Sequence, residues 1–182
     1  VCINSAAINN INFLKEASRI FGSANVSVVI QSIKINNEYF ISSSNGREIH
    51  KRNPFDWAKK VEDNGAGEII ITSVNHEGLK KGFDLNLTKK ISESVSIPTI
   101  AHGGAGNFED ILKVIKFSKI NGVGLASLLH YETLHLFPKF EPKTGNIEFL
   151  KNVEKKRKKI NIISKLKKYL KSKKINIRDE KK

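Results

Sequence analysis

The chain has 182 residues, a length for one domain, and its 32 Lys/Arg against 18 Asp/Glu give a net charge of +14. A single cysteine excludes an internal disulfide framework and fits a cytoplasmic setting, and no apolar run is long enough to span a membrane. The charge is concentrated at the end: residues 151–182 hold 15 Lys/Arg and 3 Asp/Glu, which leaves +2 for residues 1–150.

In chain order, apolar runs alternate with amphipathic stretches. Strands are expected at Val1–Asn4, Val26–Gln31, Glu68–Ser73, Thr99–His102 and Gly122–Ala126. Helices are expected near Ile8–Phe21, Pro54–Asn64, Leu85–Ser94 and Phe108–Phe117. Asn53 before Pro54, Asp84 before Leu85 and Asn107 before Phe108 are helix starts, and Gly65 is a helix stop. Lys34–Ser43 alternates around Asn36-Asn37, which reads as a small hairpin in the loop after the second strand. Strand–helix alternation is the pattern of a parallel sheet. Five such units alone would leave strand edges and an apolar face bare. The pattern therefore predicts an α/β fold, a partial (βα)8 TIM barrel of about five βα units with N-terminal units missing, and a basic C-terminal helix.

His102-Gly103-Gly104-Ala105-Gly106-Asn107 lies between a strand and a helix. Glycines let the backbone approach an anion closely, and a helix start directs N–H groups and its positive dipole end at the same point, so this turn is a candidate phosphate grip.

Val1-Cys2-Ile3-Asn4-Ser5-Ala6-Ala7, Phe21-Gly22-Ser23, Asn64 to Ser73, Gly82-Phe83-Asp84, Gly103 to Asn107, Leu125-Ala126-Ser127 with His130-Tyr131, and the tail from Leu166 to Arg178 occur together and in order. In these motifs the chain resembles the cyclase subunit of imidazole glycerol phosphate synthase, from the fourth barrel strand onward. That resemblance implies a barrel that takes ammonia from a glutaminase partner and cyclises a bis-phosphate substrate, with no cofactor. Residue by residue, it puts Asn4 and Ser5 in one phosphate grip and Glu77, Gly78, Gly103, Gly104, Ala126 and Ser127 in the other. Glu68 falls in a ring of charges at the barrel floor where ammonia enters; its plainer reading is a solvated charge at a strand start.

The departures fall on the chemistry. At the end of the second strand the family has an aspartate that exchanges a proton, and this chain has Gln31. Glutamine hydrogen-bonds but does not titrate, and loss of a general acid or base lowers a rate by about 10²–10⁴-fold. Asn75 and Glu77 stand where the family has aspartates, Leu79 replaces a small hydroxyl residue and His102 replaces a serine. Such changes resemble a related group that serves nucleotide-sugar amidation in surface polysaccharide synthesis. A third reading is a non-catalytic half-barrel that binds phosphate ligands.

The remaining candidates have plain alternatives. His102 is a phosphate donor or proton carrier, or a polar residue at a strand end; Asn75 orients substrate or closes a turn. His76 and Glu77 are adjacent and diverge, so no metal site is expected. Cys2 is expected as a small buried apolar residue and Trp57 as core. Lys155–Lys159 lacks interleaved aromatics and nucleic-acid motifs, so the tail reads as a solvated helical face without a nucleic-acid or membrane partner. The expected segments are 1–131 (barrel), 132–164 (loop and helical insertion) and 165–182 (basic helix and tail).

Overall fold

The computed structural model describes residues 1–134 and 162–178. The insertion expected at 132–164 therefore lies largely outside the described residues, as does the Lys155–Lys159 run. Contacts divide the chain into two compact units, Val1–Leu125 and Ala126–Lys182.

The first unit is built on one seven-stranded sheet. Its parallel part runs β1 (Cys2–Ile3), β2 (Ser27–Ile35), β5 (Glu68–Ser73), β6 (Thr99–His102) and β7 (Gly122–Gly124). Between β2 and β5 the chain adds β3 (Glu38–Ser43) and β4 (Glu48–His50), both antiparallel to their neighbours. The hairpin is thus larger than expected. β2 continues past Gln31 to Ile35, turns through Asn36 and Asn37, both with positive φ, and returns as β3. Two adjacent positive φ values define the tight turn that matches strand twist, and asparagine tolerates them. β1 and β3 share one edge of β2, with β1 on Ser27 and Val28 and β3 from Gln31 onward, which keeps β1 to two residues.

The helices are α1 (Ser5–Asn9), α2 (Ile11–Phe21), α3 (Pro54–Asp63), α4 (Leu85–Ser94) and α5 (Phe108–Phe117). The single helix expected near Ile8–Phe21 is broken at Asn10. Asn10 takes extended geometry, and its side chain accepts from the Asn12 amide, so it caps α2. An asparagine that supplies its own cap competes with helix continuation. The other starts are as expected, with Asn53, Asp84 and Asn107 accepting from Phe55, Leu87 and Asp110 amides.

Val28, Ile30, Ile69, Ile71 and Ala101 face the helices and are buried with Leu14, Trp57, Val61, Leu87 and Ile91. Each large apolar side chain buried there contributes roughly 1.5–3 kcal/mol. The opposite face carries Val29, Ile70 and Ile100, which pair in register and are only half-buried. Cys2 belongs to this second face through its pairing with Ser27 and is exposed, not buried as expected.

The second unit holds α6 (Ser127–Leu134) and α7 (Ile162–Ser172), the basic C-terminal helix, whose Leu166 and Leu170 are buried. Among the described residues no helix is long and apolar enough to cross a membrane.

Candidate functional site

Register decides which side chains meet on the half-buried face. Gln31 pairs with Thr72, Thr72 with His102 and His102 with Gly124, so all four positions form one layer at the C-terminal ends of parallel strands. Asn4, just after β1, joins it: its Nδ2 donates to Gln31 Oε1 at 3.1 Å and to the Ser42 carbonyl at 3.3 Å. The Ser42 carbonyl only accepts, so Asn4 presents its NH2 there and Gln31 meets it with oxygen. The NH2 of Gln31 remains available to donate. Asn4 occupies the N-cap position of α1 yet its side chain makes no capping bond. Ser5 follows as the first residue of α1 and is exposed.

On the other side of the layer, His102 Nδ1 and Thr72 Oγ1 share a hydrogen bond at 3.1 Å, and Thr72 is buried. A Cβ at Gly124 would stand 3.0 Å from His102 Cδ2, so the glycine leaves room for the ring. Of Asn4, Gln31, Thr72 and His102, only histidine exchanges a proton near neutral pH.

Above this layer two loops interlock. Gly82 N donates to Gly104 O at 2.8 Å, and a Cβ on Gly104 would collide with the Gly82 carbonyl oxygen. Gly103 lies against Glu77, whose Cβ would be 3.3 Å from an added Gly103 Cβ. The structure therefore brings Glu77, Gly78, Gly103 and Gly104 into one neighbourhood. Ala126 and Ser127 open α6 in the second unit, where the Ala126 carbonyl accepts from Leu129 and His130 amides.

The helix half of the expected phosphate cradle is different. Asp110 Oδ2 accepts from Gly106 N at 3.0 Å and Asn107 N at 3.2 Å, while Asn107 Oδ1 accepts from Asp110 N. This capping box already places a carboxylate at the start of α5. The N–H groups of Gly103, Gly104 and Ala105 have no acceptor among the described residues, which moves any anion site from the helix start to the turn.

Asn75 is drawn away from the layer. Its Oδ1 accepts from Lys34 N at 2.7 Å and its Nδ2 donates to Lys34 O at 3.4 Å, so it prolongs the β2–β5 ladder. Glu68 sits on the same face as Gln31 but at the opposite strand end, about 13 Å from Thr72 along β5, and accepts from Ser27 Oγ at 3.1 Å. Leu79 is exposed in the loop. Among the described residues no three metal-binding side chains cluster.

Sequence reasoning missed a second cluster behind the loops. Asp84, 8% exposed, accepts from Tyr39 Oη at 3.0 and 3.1 Å, from Leu87 N at 3.0 Å and from Ser73 Oγ at 3.4 Å. Burial, then the charge and hydrogen bonding of Asp84, push the Tyr39 hydroxyl up to about 12. The only local signal was the position of Asp84 as a helix cap.

Parallel strands alternating with helices, with polar groups gathered at the C-terminal strand ends, define the first unit as part of a (βα)8 barrel. The family model described as "Histidine biosynthesis protein" matches residues 1–135. The chain is 43% identical over 133 residues to "Imidazole glycerol phosphate synthase subunit HisF" of Petrotoga mobilis, covering 72% of this chain and 52% of that protein. Against the subunit of the same name from Prochlorococcus marinus strain AS9601 it is 42% identical over 139 residues, 75% of this chain and 54% of the relative. For Campylobacter concisus the identity is 50% over 109 residues, 60% and 43% of the two chains. This chain belongs to the histidine biosynthesis protein family. It spans about half the length of the curated relatives it matches.

Proposed function

We propose that the chain forms the C-terminal part of an ammonia-using cyclase barrel of the imidazole glycerol phosphate synthase type, acting on a bis-phosphate substrate. The observation that carries this reading is the layer of Asn4, Gln31, Thr72 and His102 beneath the interlocked loops of Gly82 and Gly104. In a barrel, substrate-handling groups stand at this end of the strands. One phosphate is held by Asn4 and Ser5, the other by the turn N–H groups of Gly78, Gly103 and Gly104, with Glu77 beside them. Ammonia, delivered by a glutaminase partner in the cytoplasm, enters past Glu68 at the far strand ends.

Ring closure needs one group to give a proton and another to take it. Gln31 offers N–H donors and an oxygen acceptor but exchanges no proton, so it orients substrate without acid/base work. His102 is the titratable member of the layer, with Nδ1 turned to Thr72.

A second reading is favoured by Gln31 itself: the barrel delivers ammonia for nucleotide-sugar amidation in surface polysaccharide synthesis, and binds phosphate without closing the imidazole ring. The deciding experiment is ammonia-dependent turnover of the bis-phosphate by the full-length protein and by its Gln31→Asp variant. Turnover by the parent supports the cyclase. A silent parent with a gain in Gln31→Asp supports the amidation reading, and silence in both removes the cyclase.

A further inference from the structure

The loop carrying Glu77 and Gly78 is held from behind by an imidazole whose tautomer the geometry fixes. His76 Nδ1 lies 2.8 Å from the Gly82 carbonyl oxygen, which can only accept, so the proton of the neutral ring is on Nδ1. Nε2 then faces Asp84 Oδ2 at 4.0 Å. In the neutral ring this is a lone pair beside a carboxylate. A second proton turns it into an ion pair of imidazolium and carboxylate.

The pair does not stand alone. Asp84 is fixed at the start of α4 by Tyr39 from β3, Ser73 from β5 and the Leu87 amide. Gly82, whose carbonyl accepts the hydrogen bond from His76 Nδ1–H, donates its own N–H to the Gly104 carbonyl. The His76 Cβ would lie 3.2 Å from a Cβ on Gly104. One continuous set of contacts therefore runs from Tyr39 through Asp84, His76 and Gly82 to Gly104, and Glu77 abuts Gly103 beside it.

We propose that His76 is a proton-dependent positioning residue for the anion grip of Gly78, Gly103 and Gly104, which Glu77 flanks, with Asp84 as its counter-charge. This rests on the reading of that neighbourhood as a phosphate grip. When His76 is protonated, the Nε2–H to Asp84 contact clamps the loop against α4, and the Gly82–Gly104 bond is held with it. When it is neutral, the loop is held by Nδ1–H alone. Imidazole is the side chain whose charge changes near neutral pH, which makes it the proton-dependent member of the pair. The ionisable groups around it are Asp84 of α4 and Tyr39 of β3, with Glu77 next in the loop. Asp110 of α5 lies against Gly82, its Oδ1 3.4 Å from an added Cβ there, and His102 adjoins Gly103.

The test follows backbone amide and imidazole resonances from about pH 5 to 8, with and without inorganic sulfate, in the protein, His76→Gln and Asp84→Asn. Sulfate keeps its charge over this range, so any pH dependence belongs to the protein. Asparagine retains the N-cap of α4 while removing the counter-charge. In the parent, the Gly82 and Gly104 amides should move with the midpoint of the His76 imidazole, and sulfate should bind about fivefold more tightly at the acid end through this term. In His76→Gln and in Asp84→Asn both effects should fall to the His102 contribution, which is common to all three proteins. A sulfate response in Asp84→Asn that stays above that of His76→Gln would show simple charge attraction by His76 and overturn the positioning role. A Gly82 amide that keeps its pH response in His76→Gln would overturn it as well. If the amides follow His76 but sulfate disturbs none of Gly78, Gly103 and Gly104, the phosphate reading fails, and with it the positioning role, while the clamp itself stands.

Discussion

Asn4 Nδ2 donates to Gln31 Oε1 at 3.1 Å, joining the end of β1 to the middle of β2 across 27 positions of sequence. The same amide reaches the Ser42 carbonyl of β3, so one asparagine ties three strands. Asn4→Ala is expected to lower stability by about 2 kcal/mol, the net contribution of its two hydrogen bonds. Gln31→Asp keeps an oxygen acceptor for Asn4 and should unfold at nearly the parent urea midpoint, whereas Gln31→Leu should lose about 1 kcal/mol, half the loss in Asn4→Ala. A fully stable Gln31→Leu would refute this pairing.

Gly104 has φ of 106° and packs on the Gly82 carbonyl. Alanine there meets both backbone strain and a collision, and is expected to destabilise by about 2–3 kcal/mol. Gly103 also has positive φ but meets only Glu77, so Gly103→Ala should lose about 1 kcal/mol. Urea unfolding of the two variants side by side checks the order.

The Asp110 carboxylate occupies the amides that a bound anion would otherwise use. Asp110→Ala should lose about 1 kcal/mol through the cap and speed hydrogen exchange at Gly106 and Asn107. Added sulfate should slow that exchange in the variant and leave the parent unchanged at these two amides.

The Tyr39 hydroxyl is raised from 10.0 to about 12 by burial and by Asp84. A raised folded value means that the native state holds its proton more tightly than the unfolded chain. Its contribution is therefore complete below 10.0 and is lost as pH rises toward about 12. Tyr39→Phe should be less stable at neutral pH and lose less on alkaline titration, as read by thermal unfolding across that window.

Glu62 at the end of α3 works in the opposite direction. Burial opposes its charge, but the Ser96 hydroxyl and amide and the Ile97 amide outweigh that and hold the carboxyl below its usual 4.5. The depressed value makes its stabilisation present above 4.5 and lost as pH falls through the folded value. Glu62→Gln should flatten the acid limb of the stability curve, again by thermal unfolding.

What the sequence determined by itself is what short stretches encode. The alternation of strands and helices, and the caps Asn53, Asp84 and Asn107, are legible because each cap bonds an amide two or three residues away. The glycine turn after His102 is legible for the same reason, and the family motifs lie in such local runs. Asn10 carried a local signal too, but a helical period read through it concealed the break before α2. Tertiary structure alone decided which side chains share the site. Register put Gln31, Thr72 and His102 in one layer, and a shift of one residue would have turned each to the other face. It also took Asn75 out of the layer for Lys34, exposed Cys2, and set Tyr39 on Asp84 across 45 positions. Such contacts depend on how strands pair and loops close, and no spacing within a single element records them.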